Sequence, residues 1–105
     1  DFEAYDEKDA TKHLKPEALG PLNAMREALA RAPEWTAAAM HEIVNRTAET
    51  LGLKLGKIAQ PLRVAVAGRA VSPPIDVTLA LVGRERTLRR LDAVIDYIER
   101  QSAVA

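Results

Sequence analysis

Gln60 and Arg63, three residues apart around a proline, are the pair in this 105-residue chain best suited to polar recognition. An arginine guanidinium offers five donors in a planar fork, which fits the edge of a nucleobase or a phosphate. In Gln60–Pro61–Leu62–Arg63 the proline defines a bend, so the fork starts partly pre-organised. A second such place is Ser72–Pro73–Pro74–Ile75. Serine before proline reads as a helix N-cap with proline at the first helical position. A helix N-terminus leaves backbone N–H groups for phosphate or base acceptors, and a proline-stiffened turn holds an unstacked base at low ordering cost. Both places also have a plainer reading, as an exposed arginine on a helix and an ordinary capped connection. Lys54, Lys57, Arg69 and Arg84 complete the set as generic phosphate contacts.

These residues share a stretch of unusual charge. Residues 53–90 hold eight basic and two acidic side chains, a balance of +6 in a chain whose net charge is zero. Residues 1–50 carry six basic and ten acidic groups, and residues 51–105 nine and five. Segregated charge points to a face that meets a polyanion. The stretch has no aromatic residue, so any base stacking would use arginine planes, prolines or aliphatic faces. Trp35, just after Pro33, reads as a core or hinge residue rather than a stacking platform.

No catalytic constellation is present. The phosphate-cradling glycine loop is missing, and Asp92 and Asp96, beside Arg89 and Arg100, read as a solvated charged face rather than an acid–base pair. His13 and His41 have no second ligand at a zinc-like spacing, and the absence of cysteine excludes disulfides and thiolate metal sites. No apolar run approaches the roughly 18–20 residues that cross a bilayer, so no membrane partner is expected. An acidic N-terminus argues against a signal peptide, and an opening Asp1 reads as a piece of a longer or processed protein.

Several helices follow from spacing. Asp9 or Thr11 would cap a short first turn, and a main helix would start near Pro21, with Leu22, Met25 and Leu29 on one face. After a break at Pro33, Thr36 would cap a helix carrying Met40, Ile43, Val44, Thr47 and Leu51, ended by Gly52. The clearest helix spans Arg84–Gln101, with Leu88, Leu91, Val94, Ile95 and Ile98 inward. Residues 62–82 fit two patterns. Alternation in Leu62, Val64, Val66 and in Ile75, Val77, Leu79, Leu81 suggests a hairpin, while Leu55, Ile58, Leu62, Val66 and Ile75, Leu79, Val82 suggest helices, with Pro61 as a kink or a first helical residue.

The order K-L-G-K-x-x-Q-P-L-R-x-A-x-x-G over 54–68, then Ser72–Pro73, then L-x-L-x-G-R-E-R-T-L over 79–88, closely resembles the C-terminal anticodon-binding region of bacterial glutamyl-tRNA synthetases. The resemblance covers nearly the whole chain and is most specific over 53–91. It implies an all-α, compact bundle of about five to six helices, favouring helix over hairpin in the middle. One domain would span 1–105, with upstream helices in 1–52 and the basic, anticodon-recognising part in 53–105. It further implies recognition of the tRNA(Glu) anticodon loop by the C-terminal part of a cytoplasmic, monomeric glutamate–tRNA ligase. In that family a separate Rossmann-type domain of the same chain uses ATP and magnesium, and no cofactor is expected on this part. Arg63 matches the family's base-contacting arginine, and Ser72, Pro73 and Ile75 match the loop lining the anticodon pocket. Two positions depart from the family pattern: Pro74 stands where many relatives have a small residue, and Ala67 where a threonine commonly precedes the glycine. Enzymes that also charge glutamine tRNA share the resemblance, and that choice stays open. The other reading is a helical protein-interaction module whose basic face docks an acidic partner.

Overall fold

Six α-helices and one 3-10 turn, with no strand, make up the described residues, 5–69 and 73–104, of this computed structural model. They are α1 (Glu7–His13), the 3-10 turn Pro16–Ala18, α2 (Leu19–Ala30), α3 (Ala37–Leu51), α4 (Leu55–Ala67), α5 (Ile75–Val82) and α6 (Arg84–Val104). The all-α expectation holds.

Local chemistry sets the helix ends. Asp6, not Asp9 or Thr11, caps α1: its carboxylate accepts the Asp9 N–H at 3.1 Å, which places Asp9 already inside the first turn. The 3-10 turn runs directly into α2, so that helix begins two residues before Pro21. Pro21 is tolerated there because a first-turn N–H has no carbonyl to serve. Thr36 caps α3 as expected, accepting the Ala39 N–H at 3.1 Å. Gly52 ends α3 at φ 68°, the left-handed region, and the next N–H, from Leu53, returns to the Ala48 carbonyl at 2.9 Å.

The middle of the chain is helical, and α4 runs unbroken through Pro61. Pro61 lies inside α4 and does not start a new helix, and the described residues of 62–82 form helices rather than a hairpin. A proline here removes the N–H that would serve the Lys57 carbonyl. Lys57 is exposed and lines an open cleft together with Pro61, so solvent can replace the lost bond. Alternation misleads in this segment because α4 is buried on most of its circumference. Ile58, Ala59, Pro61, Leu62, Val64, Ala65 and Val66 are all buried, so apolar residues stand at alternate positions as well as at helical spacing.

The predicted Ser72 cap of α5 is corrected. Helix α5 starts at Ile75, with Pro74 in the cap position and its carbonyl accepting the Thr78 N–H at 2.9 Å. The Thr78 hydroxyl donates to the Pro73 carbonyl at 3.0 Å, so a threonine from inside the helix binds the connection leading into it. Ser72 itself lies outside the described residues. Helix α6 extends past Gln101 to Val104, and its inward stripe is Thr87, Leu91, Val94 and Ile98, with Leu88 and Ile95 only partly buried.

The core joins all the helices. Leu22, Met25 and Leu29 of α2, Met40 and Val44 of α3, the inner residues of α4, Leu79 of α5, and Leu91, Val94 and Ile98 of α6 form one apolar cluster. Helix α4 packs against every other α-helix. Trp35 takes the core-edge role expected of it: its indole N–H donates to the Leu79 carbonyl at 2.7 Å. Packing of this kind predicts that Leu62→Ala, at a fully buried site on α4, lowers stability by about 2–5 kcal/mol in urea unfolding. Leu81→Ala, where the side chain is 77% exposed, should change it by no more than about 0.5 kcal/mol. Equal effects at the two positions would contradict the assignment of α4 as the central helix.

Candidate nucleic-acid interface

Beyond its exposed first turn, where Leu55 and Gly56 also face solvent, burial leaves a single stripe on α4 for polar work. Lys57 is exposed and Gln60, Arg63 and Ala67 are half-buried, at spacings of three, three and four residues, so they share one face. Within the stripe an Arg63 Nη1–H donates to Gln60 Oε1 at 3.2 Å, holding the guanidinium toward the start of the helix. The Arg63 Nε is buried and meets no acceptor among the described residues. A buried charged donor left in that state costs stability, and such groups are a frequent mark of function.

Helix α1 lies across the start of this stripe. Its N-terminus is fixed at the far end of α4, where the Asp6 N–H donates to the Gly68 carbonyl at 2.7 Å. Tyr5, in edge-on contact with Tyr97 at 5.1 Å between ring centroids, holds the same point to α6. Burial, and then the neighbouring Tyr97, raises the Tyr5 hydroxyl above its ordinary pKa of 10.0. The other end of α1 comes to the first turns of α4, so the two helices run antiparallel. Lys12, His13 and Lys15 there share a cleft of about 760 Å³ with Lys54, Lys57 and Gln60. Lys12 and Lys15 carry no signal of this role in the sequence, and His13 was considered there only as a metal ligand. They lie in the acidic half of the chain, and only tertiary packing brings them to α4.

The other expected site residues are dispersed. Arg84 stands at a separate cleft of about 490 Å³ formed by residues 81–86 and Arg89. Its guanidinium lies 5.2 Å from the Trp35 ring centroid and donates to the Ala32 carbonyl at 2.7 Å, so it braces the α2–α3 connection against the start of α6. Arg69, Pro73 and Pro74 are exposed. Ile75 is buried in the core, where it fixes the start of α5. Neither cleft includes Arg63, Arg69, Pro73 or Ile75 among its lining residues. No group of three or more His, Asp or Glu side chains suited to a metal ion occurs among the described residues. The described residues therefore do not fit a magnesium–nucleotide site.

A family model described as an anticodon binding domain matches residues 1–95. The chain is 53% identical over 102 residues to glutamate–tRNA ligase 1 of Nitrosococcus oceani, covering 97% of this chain and 22% of that protein. It is 56% identical over 99 residues to glutamate–tRNA ligase 1 of Alkalilimnicola ehrlichii, covering 94% and 21%. Among solved structures it is similar to a glutamate tRNA ligase from Elizabethkingia meningosepticum in complex with its amino acid. That match has a TM-score of 0.85 and 28% identity, and covers 92% of this chain and 19% of the other. The chain thus spans about one fifth of the length of the relatives it matches.

The electrostatics of the α1–α4 cleft have a direct readout. Partial burial, then the neighbouring Lys12 charge, lowers the His13 pKa below its ordinary 6.5, with Lys15 adding to the effect and Asp9 opposing it. The folded state therefore binds fewer protons at His13 than the unfolded state. Stability from this group is complete above pH 6.5 and falls as pH drops through the window below it. An NMR titration should give a His13 midpoint below 6.5, moving part of the way back in a Lys12→Gln/Lys15→Gln variant. A midpoint at or above 6.5 would contradict the arrangement.

Proposed function

We propose, from the premise that this chain belongs to the anticodon binding domain family and is homologous to part of the glutamate–tRNA ligases, that it reads the anticodon loop of glutamate tRNA. The observation that carries this reading is the single stripe on α4, with a lysine at its exposed start and a hydrogen-bonded Gln60–Arg63 pair behind it. Lys54 and Lys57 would attract backbone phosphates and set the register of the RNA. Arg63, already oriented by Gln60, would offer its remaining guanidinium N–H groups to a base edge. Pro73 and Pro74 are exposed before α5 and would present a stiff surface to a splayed base, with Ser72 beside them in sequence and Ile75 anchoring the helix start. Arg69 and Arg84 would add charge at the margins, Arg84 with the part of its guanidinium that the Ala32 carbonyl and Trp35 leave open.

The remaining four fifths of such a ligase would contain the catalytic domain, where ATP and magnesium serve the joining of glutamate to tRNA. Such a protein would work in the cytoplasm as a monomer. None of the helices is long and apolar enough to cross a membrane, among the described residues. The alternative, a module docking an acidic protein, is not favoured by the family match or by the relatives.

A hydrogen bond lost in a desolvated pocket costs about 1–3 kcal/mol, or roughly 5- to 150-fold in affinity. Arg63→Ala should therefore weaken binding of the cognate anticodon stem-loop by that range and narrow its advantage over loops with an altered anticodon. Lys57→Ala should weaken all loops alike and reduce the salt dependence by about one phosphate contact. The check is fluorescence anisotropy with cognate and altered stem-loops over a salt series. Loss of affinity by Arg63→Ala that is equal for every loop would reduce Arg63 to a phosphate contact.

A further inference from the structure

We propose that the cleft between the end of α1 and the first turns of α4 seats phosphates of the anticodon-arm backbone, with Lys12 and Lys15 acting beside Lys54 and Lys57. This rests on the anticodon-reading function and assigns part of the binding surface to the acidic half of the chain.

The argument is one of uncompensated charge. Lys12, His13, Lys15, Lys54 and Lys57 line the cleft against one carboxylate, Glu17. All four lysines are exposed, and none forms an ion pair among the described residues. Like charges gathered without counter-charge repel, and an arriving polyanion relieves that repulsion. At His13, burial first and then the Lys12 and Lys15 charges oppose protonation, against Asp9. The positive charge is not a by-product of composition, since residues 1–50 are net acidic. It results from the antiparallel placement of α1, fixed at its far end by the Asp6–Gly68 backbone bond.

Size and position suit an extended chain of phosphates rather than one ion. The cleft holds about 760 Å³, against about 30 Å³ for one water, so a hydrated phosphodiester segment fits. Pro21 and Pro61 also line it and contribute stiff walls that need little ordering. Gln60 lines the cleft and accepts the Arg63 hydrogen bond, so the phosphate-holding surface continues into the base-reading stripe of α4. A backbone seated between α1 and α4 would deliver the following nucleotides to Arg63.

The test uses the 105-residue chain, an anticodon stem-loop of about 17 nucleotides, and anisotropy over a salt series. For Lys12→Gln/Lys15→Gln the slope of log affinity against log salt should fall by about 1.5, two contacts at about 0.7–0.9 each. Preference for the cognate loop should persist, and circular dichroism should be unchanged. Lys8→Gln, on an exposed α1 position outside the cleft, should keep the original slope. A double variant that folds and keeps the original slope overturns the proposal, and so does an equal loss from Lys8→Gln. A poly-glutamate peptide that displaces the stem-loop at equal charge concentration would assign the cleft to an acidic protein instead. If the unaltered chain prefers the cognate loop while the double variant changes nothing, only the cleft assignment fails. If the unaltered chain shows no RNA binding or no loop preference, the anticodon-reading function fails with it.

Discussion

The burial of α4 is the constraint on which the rest of the molecule depends. Seven of its thirteen residues are buried, and the helix packs against all five others. A helix surrounded in this way can place polar side chains only along the gap that its neighbours leave. In this chain the gap is the line from Lys57 through Gln60 and Arg63 to Ala67. The functional face is therefore a consequence of core packing. Moving Arg63 one position either way would bury its charge at the fully buried sites of Leu62 or Val64, at a desolvation cost that marginal stability does not tolerate. The same packing rigidifies the backbone beneath Arg63, which keeps an arginine pre-organised for a planar partner.

Charge in this chain is divided between structural and recognition roles. Arg90 donates an Nη1–H to the Val66 carbonyl, so α6 closes the last turn of α4, and Arg84 does similar work for the Ala32 carbonyl. Arg26 forms a two-pronged pair with Asp92, linking α2 to α6 at 2.6 and 3.3 Å. These guanidiniums belong to helix-to-helix contacts. The lysines at 12, 15, 54 and 57 make no such contacts among the described residues and project into the open cleft. Arginine's fork suits fixed main-chain and carboxylate geometry, whereas a flexible ammonium suits a mobile, hydrated phosphate backbone.

Much of the fold was legible in the sequence, and the exceptions have physical causes. Thr36 and Gly52 marked the ends of α3 because capping chemistry is local. The α2 and α6 faces were legible because those helices bury one side only. The α4 segment was ambiguous because Leu62, Val64 and Val66 fit an alternating pattern as well as a helical one, and the resemblance over 54–68, not the pattern, favoured helix there. Asp6 was missed as a cap because three acidic residues in a row of four compete for that position. Gln60 and Arg63 were singled out by residue type together with the resemblance, and as a proline-defined bend rather than as a stripe on one helix. The α1 contribution was not, since Lys12 and Lys15 reach α4 only through the Asp6–Gly68 bond and the antiparallel docking it fixes. Net charge summed along the sequence also misled: it grouped Arg84 and Arg90 with residues whose surroundings are entirely different.

The central claim is that one continuous surface, from the α1–α4 cleft along the α4 stripe, receives a loop of unstacked bases. The most direct measurement is a backbone-amide NMR titration of the chain with an anticodon stem-loop, repeated with a loop of altered sequence. Shifts should cluster on residues 12–15, on the non-proline residues of 54–63 and on Ile75, with those near Arg63 changing when the loop sequence changes and those near Lys54 holding constant. Shifts scattered over the outer face of α6, or a footprint identical for both loops, would contradict it.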